Sequence, residues 1–213
     1  MEPGIRQFSS APGPENLLGQ WQPLLEQLGS PDALAMLNAS TDALFCPKID
    51  GLETLGVFLE AYQEQLLYPV ECPAIVRAHT CATHNQTREL IALDRTIASQ
   101  GIHPGFAHAS RRMGRFQLQR LRPLRDHRVV QRYLEAVDQQ QADGWHTLVY
   151  GLTLAVYSLP LRQGLVNYAR QTLHGFIEAA ARPLQIPVQD CRDLLESQCL
   201  DMSPQVEKLL RES

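Results

Sequence analysis

The chain has 213 residues, 44% of them hydrophobic and 20% charged, with a formal net charge of −4. That length suits one large domain or two small ones, with enough apolar side chains for a real core. The negative balance argues against a general polyanion binder, which carries an excess of Lys and Arg, so any basic patch must be local.

Of the 19 basic residues, only Lys48 and Lys208 are lysines. Arginine's planar fork of donors and weak hydration suit protein interfaces and carboxylate pairing, although a codon bias gives the same composition. Cysteines number five, an odd count with no Cys-x-x-Cys pair, and the first residues carry no basic-then-apolar leader. These features lead to an expectation of free, mostly buried thiols in a reducing, cytoplasmic setting. No run of about 20 apolar residues is present, so no membrane span is expected.

In chain order, residues 1–15 ("MEPGIRQFSSAPGPE") are rich in Pro, Gly and Ser and read as a disordered or loosely attached segment. Residues 16–213 read as one all-α, bundle-like domain of roughly nine or ten helices. Leu17–Leu28 forms a first helix bent near Pro23, and Ser30 caps a second that opens on Pro31. Residues 40–50 form a loop. Asp50 caps the next helix in a capping box with Glu53, and Leu52, Leu55, Leu59, Tyr62 and Leu66 give it one apolar face. Pro73 opens a further helix through Ile75, Val76 and His79. Residues 87–99 place Leu90, Leu93 and Ile97 on one side. Pro104 opens an arginine-rich helix that ends or kinks at Pro123. Residues 129–141 are amphipathic. Residues 145–159 are apolar almost all round, as a central helix is. Pro160 starts a long helix with Leu161, Leu165, Ala169, Leu173, Phe176 and Ala180 on one side. Shorter helices near 188–200 and 204–211 complete the chain. No strand pattern and no fixed-period repeat stand out.

The common catalytic loops are missing. There is no P-loop, no Gly-x-Gly-x-x-Gly, no Gly-x-Ser-x-Gly elbow and no His-Glu-x-x-His. "HTCATH" offers His79, Cys81 and His84. At 100° per residue, however, Cys81 and His84 sit about 200° and 140° round the helix from His79, so the three do not converge on one ion. No metal site and no cofactor are expected. His146, inside the apolar helix, reads on its own as a buried neutral imidazole.

The stretch Ala109–Arg128, "ASRRMGRFQLQRLRPLRDHR", holds seven arginines and one acid. With Met113 at zero and 100° per residue, Phe106, Ala109, Phe116 and Leu121 fall within about 80° of it. Arg111, Arg115 and Arg122 lie opposite, as a solvated face or a binding surface, and Arg112 flanks them. Arg120 projects from the apolar stripe. It is either paired internally, since a buried guanidinium needs carboxylates or carbonyls, or set at the rim of an interface.

Two segments carry a resemblance. "ASRRMGRFQLQRL" resembles the central Ser-Arg-x-Met-Gly-Arg block of the urease accessory protein UreF family. "GWHTLVYGLTLAVYSLPLRQGLVNYARQTLHGFIEAAARPL" resembles its later block, with His146, Gly151, Pro160 and Arg182 at matching positions. "LETLGVFLEAYQEQLL" is similar to the helix that precedes them, so the likeness covers roughly residues 50–185. It implies an all-α fold, a homodimer and no catalysis. It also implies an adaptor that joins the GTPase UreG and the accessory protein UreD (also called UreH) and delivers nickel to the urease apoprotein. Neither nucleic acid nor membrane is an expected partner. By this resemblance Arg111, Arg112, Arg115, His146 and Arg182 are candidate partner-binding residues, with 188–213 as a docking segment. Arg111 and Arg115 also read as plain surface charge, His146 as core, and Arg182 as a cap for its own helix. The chain departs from the family as a divergent member. "LAMLNASTDALFCPKIDG" stands where a glycine-rich block is usual, and "PLQIPVQDC" where Gly-Gln-x-x-Gly-Gln is usual. The alternative is a UreF-fold scaffold that has lost or changed the urease partners.

Overall fold

The computed structural model describes residues 33–99 and 104–212, with the backbone alone for 104–106. The expectations for residues 1–32, including a helix at Leu17–Leu28 and the cap at Ser30, lie outside the described residues, as does the side chain of Phe106. All regular structure among the described residues is helical, so the protein has the all-α fold its sequence predicts.

Helix α1 (Ala33–Ser40) ends in a turn where Ser40 Oγ donates to Met36 O (3.1 Å) and Thr41 Oγ1 to Asn38 O (2.9 Å). Asn38 then ties down the following loop. Its amide donates to Ile49 O (3.2 Å), and its Oδ1 accepts the Ile49 N–H (2.6 Å). Leu37, Leu44 and Ile49 are buried, so residues 34–51 supply core as well as surface.

Helix α2 (Leu52–Tyr62) is capped differently from the expected Asp50–Glu53 box. Gly51 is the N-cap, and Thr54 Oγ1 accepts its N–H (3.1 Å) and bonds the Asp50 carboxylate (2.9 Å). A hydroxyl one residue beyond Glu53 does the capping because the helix starts one residue later than the pattern predicts. Leu55, Leu59 and Tyr62 are buried as expected, whereas Leu52 is exposed.

The helix does not stop at Tyr62. It widens into a π-helical segment, Gln63–Glu71, and narrows again into α3 (Cys72–Thr83). Pro69 inside the segment has no N–H to donate, and its ring crowds the preceding turn, which a wider turn relieves. The Cys72 N–H reaches back five residues to Leu67 O. The sequence pattern indicates a fresh start at Pro73, and the structure instead shows a continuous helix with a change of pitch.

Helices α4 (Thr87–Ala98), α5 (Pro104–Arg120), α6 (Arg128–Asp138), α7 (His146–Val156), α8 (Leu161–Leu184), α9 (Val188–Cys199) and α10 (Met202–Glu212) follow. They build two apolar clusters. One gathers α1, α2, α8, α9 and α10 around Phe58, Tyr62 and Phe176. The other gathers α4, α5, α6 and α7 around Leu90, Leu118, Tyr133 and Leu148. Helices α3 and α7 form the seam between them and contribute to both. They pack closely because Gly151 lies against α3. A Cβ there would run into Ile75 O and come within 2.9 Å of the Ala78 Cβ.

Candidate functional site

The two sequence blocks that carry the family likeness meet in space. Helix α5 brings Ser110–Arg115 against the turn Asp143-Gly144-Trp145 that leads into α7. Gly114 makes the approach close. A Cβ on it would collide with Gly144 O and lie 2.6 Å from His146 N and 2.7 Å from Trp145 C, all backbone atoms. Gly144 has φ +75°, a left-handed conformation that favours glycine. The two glycines therefore act as a pair, one permitting the turn and the other permitting the helix to sit on it.

Side chains from both blocks close the contact. Ser110 Oγ accepts the His146 N–H at 3.3 Å. Arg111 Nε donates to Ala107 O (3.3 Å), its Nη1 lies 3.7 Å from Asp143 Oδ1, and its guanidinium stands 5.4 Å from the centre of the Trp145 ring. Arg115 Nε donates to Asp143 O (2.8 Å), with Nη2 3.6 Å from Asp143 Oδ1. From beneath, Asp94 of α4 accepts the N–H groups of Asp143 (2.6 Å) and Gly144 (3.0 Å) and the Tyr133 hydroxyl (2.5 Å). Burial, with the neighbouring carboxylate, pushes the Tyr133 phenol far above its ordinary pKa, so it remains a donor. In the turn just beyond α5, Arg122 pairs with Asp138 of α6 at 2.9 Å, held also by Gln119 of α5.

This corrects the helical wheel. The buried face of α5 runs through Ala107, Met113, Gly114 and Leu118 and continues to Leu121 in the following turn, rotated from the Met113–Phe116 face. Phe116 is half exposed. Arg120, expected within the apolar stripe, is exposed instead and has no hydrogen bond or ion pair among the described residues. Arg111, expected outermost, is half-buried against Trp145. Met113 is buried as expected, whereas Phe116 on the same predicted face is not. Gly114, with no side chain to score, marks the contact direction.

Of the candidate residues, Arg111, Arg115 and His146 are brought together, and Arg112 is exposed on the same helix. Arg182 is exposed in the last turn of α8, and no described hydrogen bond or ion pair ties it to this group. His146 is only 3% exposed. Its ring stacks on Tyr168 (centroids 5.7 Å apart), and burial lowers its pKa to about 3, so it is a neutral core imidazole and presents almost no surface to a partner. Tyr168 continues inward, donating to Glu71 (3.1 Å), which also accepts from Tyr62 (2.8 Å). Burial raises the Glu71 carboxyl against the opposing effect of these two hydrogen bonds. Sequence reasoning missed Asp94 and Glu71. Asp94 falls between Leu90 and Ile97 at helical spacing, a carboxylate on an apolar face, and that was the available signal.

All five cysteines are free, yet only Cys72 is fully buried, fewer than expected. Among the described residues no group of three or more His, Cys, Asp or Glu is placed to hold a metal ion. His84 caps the end of α3, its Nδ1 2.9 Å from Thr80 O. No described helix is long and apolar enough to cross a membrane. Residues 188–212 are packed on the body through Leu195, Met202 and Val206, while Val188 and Leu200 stand exposed.

The UreF family profile matches residues 49–196, which include both blocks and the seam. The chain belongs to the UreF family. Among curated proteins, it is 22% identical over 138 residues to the urease accessory protein UreF of Sporosarcina pasteurii, an alignment covering 65% of this chain and 68% of the relative. The matched range begins just before α2 and ends within α9. It leaves out α1, most of the loop after it, and α10.

Proposed function

We propose that this protein is a non-enzymatic accessory protein of urease maturation. It acts as a cytoplasmic homodimer that holds a UreG-type GTPase and a UreD/UreH-type accessory protein together, so that nickel reaches the urease apoprotein. The reading rests above all on membership of the UreF family through the matched range. The name of the Sporosarcina relative supports it.

An adaptor couples two partners only if it binds one state of a partner more tightly than another. The surface around Arg111, Arg112 and Arg115 suits that task. Arg115 is exposed and Arg111 half-buried, and the two share one partly exposed acceptor, Asp143, at 3.6 and 3.7 Å. Such pairs contribute only about 0–1 kcal/mol, so a guanidinium can exchange Asp143 for a partner's carboxylate at little cost. Trp145 and the backbone carbonyls hold the forks in place meanwhile. Arg182 and the 188–213 segment offer a second, separate contact region. His146 acts from within, fixing the start of α7 through its packing on Tyr168.

The test is co-purification and analytical ultracentrifugation with the cognate UreG and UreD/UreH proteins, with and without nucleotide and nickel. A complex is expected, weakened about tenfold or more by Arg111→Ala with Arg115→Ala while the fold is unchanged. Absence of any complex in all of these conditions would reject the urease reading. It would leave the second one, a UreF-fold scaffold with other partners. That reading draws on the replacement of both glycine-rich blocks, at 34–51 and 183–191.

A further inference from the structure

A small cavity of about 30 Å³ lies where the π-helical segment, α5 and the start of α7 meet. Its polar lining comes from Glu71, Ser110, Trp145 and Thr147, and the rest is apolar, including Ala74 and Ile97. Trp145 is buried, at 3% exposure, and its indole N–H has no acceptor among the described residues. Indole nitrogen only donates, and a buried donor left unmatched is costly. Each Glu71 oxygen takes one phenol hydrogen, from Tyr62 and from Tyr168, and a carboxylate oxygen has room for a second donor. The space is right for a single water, which needs roughly 10–15 Å³ and two to four polar partners. The indole donor disfavours a cation, and the volume excludes a larger solute.

We propose that this cavity binds one ordered internal water, which accepts the Trp145 indole hydrogen and donates toward the Glu71 carboxylate. The water joins the π-helical segment to the contact between the two sequence blocks, because Glu71 belongs to the first and Trp145 and Ser110 to the second. The proposal is independent of the urease reading.

The experiment uses the full chain with ¹⁵N-labelled tryptophan. The two indole signals, from Trp21 and Trp145, are assigned with Trp145→Phe. Water-selective NOE and ROE spectra are recorded on the Trp145 indole proton, alongside a high-resolution crystal structure. The expected result is a cross-peak with the sign of a long-lived bound water, and one density peak within hydrogen-bond distance of Nε1 and a Glu71 oxygen. Ala74→Val, which fills the cavity from its apolar wall, should remove both. Circular dichroism and the amide spectrum report whether that variant keeps its fold. If Ala74→Val fails to fold, Thr147→Val removes a hydroxyl from the polar lining instead, with a weakened or lost water signal expected and an unchanged signal counting against the proposal. A dry cavity in the parent protein, a protein acceptor on the indole N–H, or a cross-peak that survives a folded Ala74→Val would overturn the proposal.

Discussion

At the scale of single residues, buried polar groups hold the site more firmly than its visible charges do. Asp94 is 1% exposed and accepts three hydrogen bonds, two of them from the turn that receives α5. Asp94→Ala strands three donors at once. It should cost about 3 kcal/mol in urea denaturation, and a loss below about 1 kcal/mol would show that the turn holds without the carboxylate. His146 makes the opposite kind of demand, because it must stay neutral. Its pKa falls to about 3 in the folded protein, against about 6.5 unfolded. The unfolded chain therefore binds the extra proton, and stability declines as pH falls from about 6.5 toward 3, by up to about 1.4 kcal/mol per unit. His146→Phe keeps a ring against Tyr168 and should flatten the profile between pH 6.5 and 5, before most carboxylates titrate. An unchanged slope would place the acid sensitivity elsewhere. On its own the sequence reads His146 as a buried neutral imidazole in an apolar helix, and the structure agrees. Its stacking on Tyr168, distant in the chain, is what no local pattern reveals.

At the scale of elements, Gly114 decides how α5 lies on the turn before α7. Gly114→Ala sets a methyl group against backbone at Gly144, Trp145 and His146. Backbone yields less than a side chain, so the cost should approach the upper end of the 1–3 kcal/mol typical of overpacking. The Arg115–Asp143 contact should loosen with it. Thermal denaturation and the exchange rate of the Asp143 and Gly144 amides check both, and an unshifted melting temperature would mean that α5 can pivot freely. Helix positions were largely legible in the sequence. Leu90, Leu93 and Ile97 are buried as predicted, as are Leu165, Ala169, Leu173, Phe176 and Ala180, while Leu161 at the helix start is half-buried. What failed was the orientation of α5 and the pitch change after Tyr62. Arginine stems and a half-exposed Phe116 blur an apolar stripe, and a π-turn resets the helical period without any composition change to announce it.

At the scale of the whole molecule, two apolar clusters share the α3–α7 seam. Since both helices belong to both halves, neither cluster keeps its wall if the other dissolves. Unfolding should be cooperative. Amide exchange in α6 and α8, one from each cluster, should converge on a common free energy as denaturant rises, and two separate isotherms would show that the halves fold independently. The π-helical segment has a further consequence, in terms of chain length. A wider turn accommodates residues that a regular α-helix would carry further round its axis, about 100° for each one. Between Gln63 and Glu71 the number of residues therefore matters as much as their identity. Removing a single one would rotate α3 relative to α2, swing Gly151's partner surface out of contact and carry Glu71 away from both tyrosines. Loops generally tolerate insertions and deletions, whereas here the residue count itself is part of the structure.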